Sequence, residues 1–117
     1  MPGQFLWFDL LTDDPKAAGG FYTDLLGWSI DPDDGASNYT SWISDETGRW
    51  AAIADEATRR PTWVPYVAVE NITDARDRAE SLGATIVQEP TDGPGGTSVL
   101  LTDPQGALFA LFVPRTA

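Results

Sequence analysis

From Phe5 to Leu11 almost every position is apolar, and only Asp9 interrupts the run. A strand with one wet face would alternate apolar and polar side chains. A nearly continuous apolar run predicts a strand covered on both faces. The pattern then changes. Asp14 is a helix-capping residue, and Pro15 suits the first helical position, where its missing N–H would be unpaired anyway. Gly27 can adopt the left-handed conformation that stops a helix. These signals predict a helix over Pro15 to Leu26. Its Gly19-Gly20 pair costs about 1 kcal/mol per glycine relative to alanine, so the helix either packs very closely there or is locally weak. Extended chain resumes at Trp28-Ser29-Ile30, and Asp31-Pro32-Asp33-Asp34-Gly35 is turn chemistry. Tyr39 to Ile43 and Trp50 to Ala54 read as strands, joined by the turn Asp45-Glu46-Thr47-Gly48.

The second half repeats this order. Residues 55–62 are polar, lack an apolar period and contain Pro61, which marks a linker. Trp63 to Val69 is a strand rich in β-branched and aromatic residues. Asn71 caps a helix from Ile72 to Leu82, with Arg76 and Glu80 spaced for an i,i+4 pair and Gly83 as its stop. Thr85 to Val87 is a strand, and Thr91 to Gly96 reads as a mobile loop. Thr97 to Leu101 and Leu108 to Val113 are strands joined by Asp103-Pro104-Gln105-Gly106. The halves superpose at an offset of 56–58 residues: Trp7 on Val64, Asp14 on Asn71, Gly27 on Gly83, Asp45 on Asp103 and Gly48 on Gly106. The prediction is an α+β chain of two β-α-β-β-β modules, about 4–54 and 63–114, in a single domain.

Composition narrows the partners. Seven basic against eighteen acidic residues give a net charge of −11, which repels a nucleic-acid backbone. That charge serves solubility, or it attracts a cationic small molecule. No apolar run approaches the ~18 residues of a membrane span, and no basic-then-apolar start suggests export. A cytoplasmic location is therefore expected. The absence of cysteine removes disulfides and thiolate metal sites.

The strand followed by Asp-Asp-Pro…Phe-Tyr…Leu-Leu-Gly-Trp, and later Asp-Pro-Gln-Gly-Ala-x-Phe, resembles the vicinal oxygen chelate superfamily. That group holds glyoxalase I, extradiol dioxygenases, fosfomycin-resistance enzymes and bleomycin-binding proteins. The resemblance spans nearly the whole chain. It implies a curved, cup-shaped mixed sheet with helices outside and a ligand pocket or active site inside. Metal-dependent members place His, Glu or Gln in the first and last strands of each module. The corresponding positions here are Trp7, Val64, Ala52 and Ala110, none of which can ligate a divalent ion. The chain also lacks histidine. Asp9 is the one carboxylate on a strand position expected to face the cup, and a catalytic site needs around three protein ligands. No metal and no cofactor is expected.

Side-chain alternation gives the expected lining. Phe5, Trp7, Asp9 and Leu11 share a face, as do Val64, Tyr66 and Ala68, with Tyr66 the repeat counterpart of Asp9. Trp50, Ala52, Leu108, Ala110 and Phe112 join that face from the last strands. Trp42 and Tyr39 can contribute from the third. Aromatic walls, small alanines and two polar groups make a small-molecule pocket. The same residues also admit plain roles: Trp7 and Trp50 as core, Asp9 as a cap, Tyr66 as a half-buried strand residue. The reading favoured is metal-independent capture of a small aromatic or cationic organic molecule, resembling the drug-sequestering branch of the family. The alternative is a metal-free enzyme with Asp9 as general base and Tyr66 as general acid, and a third is a non-catalytic interaction module. Modules of roughly 55 residues bury little surface alone, and the family resemblance favours a homodimer.

Overall fold

A computed structural model describes residues 3–32, 39–55, 61–93 and 95–115. They cluster into two compact units. One is Trp7–Val64. The other runs from Pro65 onward and includes the segment that ends at Leu6. The expected α+β order is present in full: β1 (Phe5–Thr12), α1 (Pro15–Leu26), β2 (Ser29–Pro32), β3 (Tyr39–Asp45), β4 (Gly48–Asp55), β5 (Thr62–Ala68), α2 (Ile72–Ser81), β6 (Thr85–Gly93), β7 (Gly96–Thr102) and β8 (Leu108–Pro114). Each half is thus β-α-β-β-β. Asp31 and Pro32, expected in a turn, close β2, while residues 33–35 of that expected turn, residues 36–38, residues 56–60 of the linker, Pro94 and the Tyr39 side chain lie outside the described residues. None of the described helices is long and apolar enough to cross a membrane.

In the first unit the strand order is β2-β3-β4-β1. β1 and β4 run parallel, with Asp9 opposite Ala52 and Leu11 opposite Ala54. α1 covers one face, over a core of Leu10, Ile43, Ala51 and Ile53 against which Ala18, Tyr22, Trp28 and Ile30 pack. The expected caps hold the helix. Asp14 accepts from the Ala17 N–H at 3.2 Å, and Gly27 closes the helix with φ 71°. The two glycines of α1 have different reasons. A Cβ on Gly19 would stand 3.6 Å from Ile30 Cδ1 and 4.0 Å from Ile53 Cδ1, so this glycine lies against the sheet. A Cβ on Gly20 would meet nothing within 4 Å; that position is exposed.

The second unit repeats the plan with order β5-β8-β7-β6. Its core of Val99, Leu101 and Leu111 lies under Ile72, Ala75 and Ala79 of α2. Asn71 caps α2 through the Asp74 N–H at 2.9 Å. The β3–β4 and β7–β8 turns are chemically alike. Asp45 accepts from the Thr47 N–H at 2.8 Å, and Asp103 accepts from Gln105 and Ala107 at 2.9 and 3.0 Å. Gly48 and Gly106 each take positive φ beside them. The expected Arg76–Glu80 pair forms at 2.8 Å. Arg76 also bonds Glu89 through two nitrogens at 2.8 Å, which holds the Glu89 carboxyl below its usual range.

One expectation changes. The stretch from Thr91 is not a loop throughout. β6 continues to Gly93 and pairs with β7, with Asp92 opposite Thr97 and Gly93 opposite Gly96. Register shifts between Ile86 and Thr91 admit Pro90, which has no N–H to give a ladder. Gly96 takes φ 148°, and a Cβ there would collide with the Val113 carbonyl oxygen. The close approach of β7 to β8 therefore requires glycine.

Gly20→Ala is expected to raise stability by about 1 kcal/mol, because it removes a helix-interior glycine without a new contact. A thermal melt at low micromolar concentration, where self-association contributes little, should shift upward by a few degrees. Gly96→Ala should shift it downward, since backbone would have to move.

Candidate functional site

β1 builds the site from one residue pair. Trp7 and Asp9 share its face away from α1, and the Trp7 indole Nε1–H donates to Asp9 Oδ1 at 2.7 Å. Asp9 is 2% exposed. A carboxylate this buried needs partners, and a hydrogen bond to an ionised acceptor is the stronger kind. Ala52 lies opposite Asp9 on β4, and Trp42 of β3 lies opposite Ala52. The small alanine thus separates the carboxylate from an indole in one row across three strands. The Trp42 ring stands edge-on to Trp7, with centroids 6.0 Å apart. The Arg49 guanidinium carbon lies 5.0 Å from the Trp42 ring centroid, within cation–π range. Trp7 and Trp42 are both half-buried.

Trp50 does not join them. Ile43 pairs with Ala51, but Ser44 pairs with Arg49, which leaves Trp50 as the extra residue of a β-bulge. A bulge re-aims its side chain. The Trp50 ring lies on the α1 side, edge-on to Trp28 at 4.8 Å. The bulge reverses the alternation expected for β4 at Trp50 and, beyond it, at Arg49, which lies over Trp42 on the other face. Trp28 also stacks on Tyr22 at 5.0 Å and 13°, and Trp63 donates its indole N–H to the Tyr22 hydroxyl at 3.0 Å. Phe8, Trp28, Trp50 and Trp63 line an open depression of about 240 Å³. Trp28, Trp63 and Phe8 were not foreseen as site residues. Their signal was the tryptophan after the helix stop and a second one at the head of β5.

The second unit supplies the repeat equivalents. Tyr66 lies opposite Ala110 and Ala68 opposite Phe112, as Asp9 lies opposite Ala52. The Tyr66 and Phe112 rings meet edge-on at 5.7 Å. Both rings are half-buried, as is Leu108, while Ala110 is fully buried. Val64, in the first unit, is 1% exposed. Phe5 is 54% exposed. The four positions that correspond to metal ligands in the resemblance, Trp7, Ala52, Val64 and Ala110, offer no donor of the required kind. No group of three or more His, Cys, Asp or Glu among the described residues is arranged to hold an ion.

Residues 6–112 match the family described as a glyoxalase-like domain. The chain belongs to that family. The glyoxalase-like domain here is 34% identical over 131 residues to the anthracycline biosynthesis protein DnrV of Streptomyces peucetius, covering 95% of this chain and 47% of that protein. It is 32% identical over 114 residues to the putative glyoxylase CFP32 of Mycobacterium tuberculosis, covering 91% of this chain and 44% of that one. The domain therefore spans under half the length of these relatives. In fold it is similar to a homoprotocatechuate 2,3-dioxygenase variant from Brevibacterium fuscum, with TM-score 0.71, 18% identity, and coverage of 98% of this chain and 33% of that chain. The glyoxalase-like domain is thus a vicinal oxygen chelate fold.

Asp9→Ala should strip the half-buried Trp7 indole of its acceptor and cost about 1–3 kcal/mol in a denaturant melt. Asp9→Asn keeps an acceptor oxygen and should cost less. Trp50 Nε1 has no hydrogen-bond partner among the described residues. Trp50→Phe removes that unsatisfied donor, and the same melts should show a smaller loss than Asp9→Ala.

Proposed function

We propose that this glyoxalase-like domain captures a small planar aromatic molecule without a metal ion. The Trp7–Asp9 hydrogen bond carries the reading. Asp9 locks the Trp7 indole in one orientation, and an aromatic surface fixed before binding loses little entropy when a ligand arrives. Trp42 forms the adjoining wall, and Arg49 already occupies a position over its ring. Trp7 is accordingly the platform on which the ligand stacks. In the second unit, Tyr66 and Phe112 are the matching groups, Tyr66 adding a hydroxyl that can donate or accept. A ligand with a cationic substituent gains further from Asp9 and from the −11 net charge.

Two considerations support capture over metal chemistry. The side chains at the family's ligand positions cannot coordinate a divalent ion. Among the relatives, two bear names from anthracycline biosynthesis, and a flat ring system is the partner that paired indoles fit. The acid–base alternative needs Asp9 free to move a proton, whereas its Oδ1 is engaged by Trp7 at 2.7 Å.

The test uses a planar cationic acridine and a neutral anthraquinone as probes, with binding followed calorimetrically. Trp7→Ala and Trp42→Ala should each weaken binding at least tenfold, about 1.4 kcal/mol. Trp50→Phe should leave it unchanged. Asp9→Asn should weaken the acridine more than the anthraquinone, and equal affinities in wild type and variant would reject the carboxylate's role. The probe should be recovered chemically intact. Turnover that vanishes in Asp9→Asn or Tyr66→Phe would establish the enzyme instead.

Metal analysis gives a second check. Untagged protein should carry no stoichiometric Zn, Mn, Fe, Co or Ni, and chelators should not change probe binding. One bound equivalent whose removal abolishes binding would refute the reading.

A further inference from the structure

Helix α1 presents an outer face more apolar than a solvated helix requires. Phe21 is 59% exposed and Leu25 62% exposed. Ala17, Phe21 and Leu25 recur at i, i+4 and i+8, so they form one stripe along the helix. Lys16, Gly20 and Asp24 form a second row beside it at the same spacing. All six positions are exposed.

The two rows are self-complementary. Helices related by a two-fold axis run antiparallel, and each row faces its own copy. In the second row the midpoint between Lys16 and Asp24 is Gly20. Crossing there sets Lys16 of each helix against Asp24 of the other, so two opposite-charge pairs form at once. In the apolar row the midpoint between Ala17 and Leu25 is Phe21, one residue and about 1.5 Å further along. That crossing sets each Leu25 over the other copy's Ala17. Ala17 borders an open depression of about 360 Å³, lined on one part by Leu10, Phe21 and Tyr22 and on another by Thr12, Asp13 and Asp14, and its apolar part gives the leucine a recess. Gly20, with nothing within 4 Å of a would-be Cβ, lets the backbones approach at the crossing. Lys16 is the chain's sole lysine and the one basic residue before Arg49. In a chain of net charge −11, its place opposite an aspartate on the bare apolar helix face is a specific pairing.

We propose that this face of α1 joins two copies of the chain, antiparallel about Gly20 and Phe21. The occupant is a second copy, because the pattern complements itself in both charge and size. The inference stands apart from the ligand reading and concerns a different surface of the first unit.

Sedimentation of the full chain at about 100 µM and 0.15 M salt tests it. Wild type should sediment at twice the chain mass of 12.6 kDa, and Leu25→Glu should sediment as a monomer. Lys16→Asp and Asp24→Lys should each weaken the dimer about tenfold or more, and the double swap should restore it. Each single swap places its new charge favourably for the helix dipole, so loss of the helix would not explain weaker association; circular dichroism and thermal melts confirm that every variant is folded. A monomeric wild type, a Leu25→Glu dimer, or a double swap no tighter than the singles would overturn the proposal.

Discussion

A carboxylate with almost no access to water must be held by its surroundings, and the first unit is arranged to hold Asp9. Its neighbour two residues back along the strand supplies an indole N–H at 2.7 Å. The residue opposite is an alanine, small enough to leave Trp42 next in the row. The other side of β1 is covered by α1 over Leu10. Had the Ala52 position carried a large side chain, Trp42 and Asp9 would compete for one space. Had Trp7 been aliphatic, the carboxylate would lose a donor at a cost of about 1–3 kcal/mol. The orientation of the Trp7 ring follows from that hydrogen bond together with its edge-on contact to Trp42.

Much of the architecture was legible because it rests on local chemistry. Asp14, Pro15 and Gly27 fix the ends of α1 without help from distant residues, and the structure places α1 at Pro15–Leu26 as they require. The two Asp-x-x-Gly turns declare themselves by repeating. Where tertiary contacts decide, the sequence is silent. The bulge at Trp50 arises from a register slip against Ser44, and alternation cannot foresee a slip. β6 passes Pro90 because shifts in its pairing with β7 admit the proline. Glu89 meets Arg76 across 13 residues, a separation that no helix-spacing rule covers. Within the candidate site, Trp7, Asp9 and Ala52 were legible as one face, the facing of Trp42 was left open by the sequence, and Trp50 was lost to the other side by that single slip.

The internal repeat separates what the fold needs from what its site does. Caps, stops and turns match between the halves, down to the positive φ of Gly48 and Gly106. The chemistry has diverged on that shared frame. Asp9 over Ala52 in one unit becomes Tyr66 over Ala110 in the other. A frame built on backbone capping and small residues leaves the row on the face away from the helices free to change, because few of its side chains are needed to hold the strands together.

The tryptophans are unevenly shared. All five, Trp7, Trp28, Trp42, Trp50 and Trp63, fall within Trp7–Val64, and none lies in the unit that begins at Pro65. Indole emission consequently reports on one half of the molecule and is blind to the other. Calorimetry weighs both halves. Agreement between an optical and a calorimetric transition would show the two units melting as one cooperative body, and a gap between them would measure their independence. Rings at 4.8 to 6.1 Å spacing among Trp28, Trp50 and Trp63 also pass excitation among themselves, which dilutes any optical change originating at Trp7.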